Sequence, residues 1–474
     1  MSRSSQKLYV LFSKIVLGWG LVLCFPCSVT GATFADGLLH TISDDTYASD
    51  FVVLSDGTKL AVTGDAEIGA NEFQQSVIAS NSIVTVSSGV LFGGLEIVDG
   101  TNLALQGGTV GVDQVLRSVS ATGSTINVSG GTLDGTLTAI GGSTITVSGG
   151  TLTAKLYASG DSSVVISAGQ LDEVHVVHSE LKIDAGTMHL VEASFDNEVE
   201  IRGGTVNGPF SMHGENTAVI SGGTIGVSPI SGYSVNGFEH NTITIAGGVT
   251  DSSIDVVCEN GLTIEDGVIG ANAFGNSINL FGINNVVSIS GGTLTGGIQV
   301  DAFGELDITG GTIGSNPEQV SIDAAAGIFD ITNSTLGGAI HANGGNMTLR
   351  SGTFGSDKDG VTLLATGQSQ FNILGGMFTG ELNSLETSTL NLYGDQFAID
   401  GVPIEFGPVN ALSGQLTARL SDGALLSVPF QRDETAMITV VEPVPITSRT
   451  IDGSNNNATQ PTWGQVDTEE IRLT

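Results

Sequence analysis

The chain has 474 residues, with 49 Asp and Glu against 14 Lys and Arg, a formal net charge of −35. Such acidity repels polyanions, so nucleic acid is excluded as a partner, and it favours contact with cations. Glycine is abundant at 68 residues and aromatic content is only 5%, yet β-branched residues recur in strict order, which separates this composition from that of a disordered chain.

Residues 1–32 read as a secretory signal peptide. Arg3 and Lys7 form a charged start, an apolar stretch runs to Phe25, and Thr30, Gly31 and Ala32 are small enough for cleavage. Lys14 interrupts the apolar run and Ile15–Phe25 is too short to cross a bilayer, so no transmembrane segment is expected in the mature chain. Cleavage would remove three cations and no anion, moving the charge to −38, and would leave Cys258 as the single cysteine. Neither an intramolecular disulfide nor a cysteine-based zinc site is then possible. The expected location is secreted or at the cell surface.

Residues 33–66 are expected to form entry or cap strands around an SDG turn. From 67 to 395 the sequence repeats. Stretches such as SGGTLDG and SGGTLTA mark a corner that returns every 17 to 25 residues, from Gly89 to Asp395. Five and three residues before each corner stand two apolar side chains, as in Ile126 and Val128, or Leu181 and Ile183, with a polar residue between them. Apolar–polar–apolar is the period of a strand with one buried face. A further apolar residue follows each corner (Leu133, Leu152, Val206, Ile225), and then a third short strand such as GGIQVDA. Three short strands per repeat, stacked coil on coil, predict an all-β fold: a right-handed parallel β-helix, or β-solenoid, of about 16 coils. Ile145, Ile166, Ile183 and Ile201 are expected to share one buried stack.

The glycine pair of SGGT is expected to supply positive φ at a corner between strands. A phosphate-binding loop would need a helix and usually a lysine after its glycines, and neither follows. A second pattern lies over the first. After Gly108, Gly223, Gly267, Gly311 and Gly352 the interval lengthens to 23–25 residues, and each long interval opens with a glycine: Gly111, Gly226, Gly270, Gly314 or Gly355. Two residues on comes Asp113, Ser228, Asn272, Asn316 or Asp357, a residue type that caps a turn. From Gly223 onward long and short coils alternate, so the extra turns should project from one edge about 10 Å apart. Asn272, Asn316 and Asp357, with Tyr233 and Phe274 as aromatics able to stack on a sugar ring, are the candidate binding face.

Chemistry is sparse. Lys182 should stack on Glu200, and Asp184 on Arg202. Asp307 and Asp330 are expected side by side on the outside of neighbouring coils, with Glu305 beside them. Like charges so close need a cation, a raised pKa or a neighbouring base. The readings are a solvated acidic stripe, with Arg350 one coil further as a counter-charge, or a calcium site of hard oxygen ligands. His175 and His178 should lie on opposite faces. His178 and His213 should share a coil position with a coil between them, roughly 10 Å and too far for one metal. No catalytic residue is assigned and no cofactor apart from that calcium.

Residues 396–444 are expected to form a small antiparallel C-terminal cap, with SDGA as a hairpin turn, and 445–474 a polar tail. The GGT coils and the terminal IDG and GQLTARLSDGALL segments resemble large secreted repeat proteins of Gram-negative and planctomycete-type bacteria, and autotransporter passengers share the architecture. The resemblance implies an extracellular structural or adhesive role. The expected function is a non-catalytic exported surface scaffold or adhesin-like protein whose partner is an extracellular polysaccharide or cell-surface glycan. The alternative is a carbohydrate-active β-helix enzyme, a polysaccharide lyase or hydrolase.

Overall fold

The computed structural model describes residues 32–43, 52–69, 75–111, 118–228, 232–301, 303–314 and 319–443; the expected signal peptide (but for Ala32) and the polar tail lie outside the described residues. All described secondary structure is β-strand, and the strands form a parallel β-solenoid of about 18 turns. Three ladders of in-register parallel strands run along it. The first links Leu39–Ile42, Lys59–Val62, Ile83–Val86 and Asn102–Leu105 and continues coil by coil to Thr389–Ile399. The second carries the two-residue strands after each corner, such as Thr132–Leu133. The third begins at Ala32–Phe34 and Val52–Leu54 and ends on Leu425–Arg432.

The two turns beyond the expected 16 come from residues 33–66. Leu60 and Val62 stand in register with Val84 and Val86, and Ile42 with Val62, so this segment is already solenoid. It carries the buried apolar pair but no GG corner, which is why corner counting passed over it.

From Lys59–Val62 onward the two inward positions of each first-ladder strand are apolar and buried; in Leu39–Ile42 they are the half-buried His40 and the buried Ile42. The inward positions form two neighbouring stacks. Ile126, Ile145, Val164 and Leu181 make one, and Val147, Ile166, Ile183, Ile201 and Ile220 the other. Contrary to the expectation of one stack, Ile145 does not stack on Ile166, because it occupies the earlier of the two inward positions of its strand.

The corners have the expected physical basis. Gly131 and Gly150 sit at φ of 75° and 82°, in the left-handed region. A side chain on Gly130 would run into the carbonyl of Gln106 in the preceding coil. The opposite corner, between the third and first ladders, is held by buried side chains. Ser143 Oγ donates to the Ile140 carbonyl and stands 3.3 Å from the Ser124 amide. Further along, asparagine takes over: the Asn197 side-chain amide donates to Asn216 Oδ1 at 2.7 Å, Asn216 to Asn241 at 2.8 Å, and Asn241 to Asn260 at 3.0 Å. Each buried polar group is thereby answered by the coil above it.

At the C-terminus, Ser413–Leu420 and Leu425–Arg432 form an antiparallel hairpin around Ser421–Ala424. The cap is mixed rather than purely antiparallel. Leu425–Arg432 pairs parallel with Glu381–Ser384, and Met437–Val441 parallel with Thr389–Ile399. Gly407–Pro408 then pairs antiparallel on Met437–Val441, and a proline there offers no amide for another strand.

Replacing Ile183 by Asp places an unpaired charge inside this stack. The expected loss is on the order of 3–5 kcal/mol, seen as an earlier midpoint in urea unfolding. An unchanged midpoint would contradict the register described.

Candidate functional site

The long turns connect the second ladder to the third. They end at Tyr233, Asn276, Val320 and Val361, and the coils between them supply Ser253, Gly297 and Ala339 to the same row, so long turns alternate with plain coils along one edge. Each long turn closes with one extra residue in the strand, between Tyr233 and Val235, Asn276 and Ile278, Val320 and Ile322, and Val361 and Leu363. The extra residue is a buried hydroxyl that repairs the ladder. Ser277 Oγ donates to the Ile269 carbonyl at 3.2 Å and accepts from Gly296 N–H at 2.8 Å. Ser321 does the same with Ile313 and Gly338, and Ser76 with Ile68 and Gly93. Sequence reasoning missed these serines, although each sits seven residues after the opening glycine of its turn.

The capping residues take the expected role. Asn272 Oδ1 accepts from the backbone N–H of Phe274 at 2.9 Å and of Asn276 at 3.1 Å. Asp357 Oδ1 accepts from Asp359 and Val361 at 2.9 and 3.0 Å, and its other oxygen lies 3.2 Å from His341 Nε2. Burial pushes the Asp357 carboxyl up, but these bonds from Val361, Asp359 and His341 outweigh it and hold the pKa below its ordinary value. Phe274 stands 89% exposed at the tip of its turn, whereas Tyr233 is half-buried. Asn316 and Asp113 lie outside the described residues.

Beside these turns runs the outward row of the third ladder, which was not singled out from the sequence. In register it carries Tyr157, His175, Glu192, Ser211, Asn236, Asp255, Asn279, Gln299, Asp323 and His341. One polar side chain per coil, about 4.8 Å apart, makes a row of hydrogen-bonding groups. Its middle is tightly tied. Asn279 donates to Asp255 at 2.7 Å, Asn276 to Asn279 at 3.1 Å and to Gln299 at 2.6 Å, and Gln299 to Asp301 at 2.8 Å. Burial raises the Asp255 pKa, against the opposing bonds from Asn279 and Ser253. Asn236 Oδ1, in register next to Asp255, is buried with no hydrogen-bond partner among the described residues.

A second group on the same row surrounds His175. Lys155 Nζ lies 3.3 Å from His175 Nδ1 and 3.5 Å from Glu173, while Ser194 Oγ lies 3.4 Å and Glu192 3.8 Å from His175 Nε2. Desolvation is the main cause of the lowered His175 pKa, with Glu192 opposing it and Lys155 adding to it. His178 lies past the strand end with a φ of 48°, stacked on Phe195. His213 stands in register with Ser194, which in turn pairs with Val177, so it is one residue out of step with His178 rather than equivalent to it.

Asp307 and Asp330 are side by side as expected, but the stripe is not solvated: they are 5% and 8% exposed. Arg350 grips Asp330 with three contacts of 2.8–3.0 Å. Among the described residues no three His, Cys, Asp or Glu side chains are grouped as metal ligands, the calcium candidates Glu305, Asp307 and Asp330 included. The cationic guanidinium supplies the counter-charge expected of Arg350. Elsewhere Arg202 bonds Glu200 at 2.5 Å and approaches Asp184 at 3.8 Å, and Lys182 stands in register with Glu200.

Fold and site together define a parallel β-solenoid whose alternate coils, from Gly223 onward, carry long turns along the edge of one polar face. Comparison with family models, curated proteins and solved structures found no match for this chain. No helix among the described residues is long and apolar enough to cross a membrane.

Two outcomes follow. Arg350→Gln strands Asp330 beside Asp307 in a buried setting and should cost about 3–5 kcal/mol in denaturant unfolding; Asp330→Asn in that background should recover much of the loss. Asp255→Asn should raise the melting temperature at pH 7. The folded protein holds the Asp255 proton more tightly than the unfolded chain does, so ionisation costs stability as pH rises from the ordinary 3.8 through the raised folded value. The advantage should vanish below 3.8, and an equal gain at pH 3 would refute this cause.

Proposed function

We propose that this protein is an exported, non-catalytic surface scaffold that binds an extracellular polysaccharide or cell-surface glycan along its third ladder. The observation that carries the reading is the strip of polar side chains, one per coil, bordered by turns whose backbones are fixed by Asn272 and Asp357. An extended ligand with a repeating set of hydroxyl groups meets a polar side chain at every coil, so many weak contacts add along the rod. The resemblance of the GGT coils to secreted bacterial repeat proteins supports the same reading, as does the signal-like segment at residues 1–32.

A carbohydrate-active enzyme is the second reading, and the Lys155, Glu173, His175 and Glu192 group beside Tyr157 is the observation that favours it. A neutral histidine next to a phenol and an ammonium group can move protons. The two readings separate in one pair of measurements on the whole chain, a glycan array and an assay for newly formed chain ends on the glycans bound. Binding without cleavage is the expected result. Cleavage abolished by His175→Ala would establish the enzyme instead.

A further inference from the structure

We propose that the coils between Tyr233 and Gln299 form a subsite for a neutral sugar, with Phe274 as the stacking platform and the Asp255–Asn279–Asn276–Gln299 network as the hydrogen-bonding floor. The inference rests on the glycan-binding reading above and specifies its place and ligand class.

Three observations converge here. Phe274 is the most exposed large apolar side chain described, at 89%, yet its turn is tied down by hydrogen bonds. Asn272 holds the backbone on both sides of it, and Gly275 lies so close to the Gln319 side chain of the next long turn that an added Cβ would come within 3.1 Å of its amide nitrogen. An aromatic ring held out in water by a fixed turn gains by covering its face with an apolar surface, and the C–H face of a pyranose is such a surface.

The floor begins two residues further along the chain. Asn276 follows Phe274 in the chain and turns its amide to Asn279 and Gln299. These mutual bonds fix the amide planes before any ligand arrives, so little side-chain entropy is lost on binding. Asn279 is only 3% exposed, and Asp255 and Gln299 are half-buried, a partly desolvated setting in which hydrogen bonds to sugar hydroxyls are stronger than in open water.

Charge then selects among sugars. No Lys or Arg lies between Arg202 and Arg350, a stretch that carries thirteen Asp and Glu. A uronate or sulfated glycan would meet Asp255, Asp301 and Asp323 with no cation to answer its own charge, so an uncharged glycan is the class that fits.

The test is affinity gel electrophoresis of the full chain, in gels containing a mixed-linkage glucan, a galactomannan or polygalacturonate at low salt. The expected result is retardation by a neutral polysaccharide and none by polygalacturonate. Phe274→Ala, at a residue too exposed to matter for folding, should weaken binding about tenfold or more, and Asn276→Ala should weaken it as well. Phe195→Ala, an exposed aromatic at a different corner, should bind as wild type does. Retention by polygalacturonate alone would overturn the ligand class. Neutral-glycan binding untouched by Phe274→Ala and Asn276→Ala would overturn the location while leaving the glycan-binding reading intact. No retention in any gel, together with a blank glycan array, would overturn both.

Discussion

Everything in this molecule depends on keeping parallel strands in register while the coils that carry them differ in length. A parallel ladder leaves no freedom: a slip of one residue turns the inward row outward. Coils of 17 to 25 residues nonetheless stack without losing the Ile166–Ile183–Ile201 row. The slack is taken up at two kinds of place. At the GG corner, backbone passes so close to backbone that only glycine fits. At the base of each long turn, one extra residue is absorbed and its hydroxyl supplies the bond that the ladder lacks, as Ser277 does between Ile269 and Gly296.

The same constraint places the polar face. A coil can lengthen only where the added chain leaves the stack and returns to the same register, and that happens between the second and third ladders. The short coils between long ones carry Gly296, Gly338 and Gly380 where the long turn crosses back, and Gly297, Ala339 and Glu381 donate to the backbone carbonyls of Gly275, Gln319 and Gly360 in those turns. Long and short coils therefore alternate because each long turn rests on a short neighbour. The outward row of the third ladder becomes the floor beside these turns, and this is where Asp255, Asn279 and Gln299 are half or fully buried although they point away from the core.

Buried charge is handled differently along the rod. Asp330 is answered by a bidentate arginine one coil away, Asp255 by amide and hydroxyl donors and a raised pKa, and Asp357 by backbone N–H groups that favour its charged form. Only the first of these is a stacked ion pair of the kind seen at Asp184 and Arg202. The others belong to the turns and the third ladder, where polar groups serve the geometry of a surface rather than the packing of the interior.

The sequence by itself determined the solenoid, because the apolar–polar–apolar strand and the glycine corner are local patterns repeated until chance is excluded. It also determined the neighbours within a ladder, so Asp307 beside Asp330 and Asp184 beside Arg202 could be read from spacing alone. It left the two first turns uncounted, since neither Leu39–Ile42, whose inward pair is His40 and Ile42, nor Lys59–Val62 is followed by the GG corner. The asparagine row from Asn197 to Asn285 and the serines at 76, 277 and 321 stand at fixed offsets too, but an offset does not say that a side chain is buried. Tertiary structure alone decided that. It put Asp307 and Asp330 out of solvent, chose between the two readings of that pair by setting Arg350 on Asp330, set His213 one step away from His178, and joined Asn276 at the end of the Phe274 turn to Asn279 and Gln299. Those outcomes depend on which coil's turn overhangs which strand, a distance across the stack that no single coil encodes.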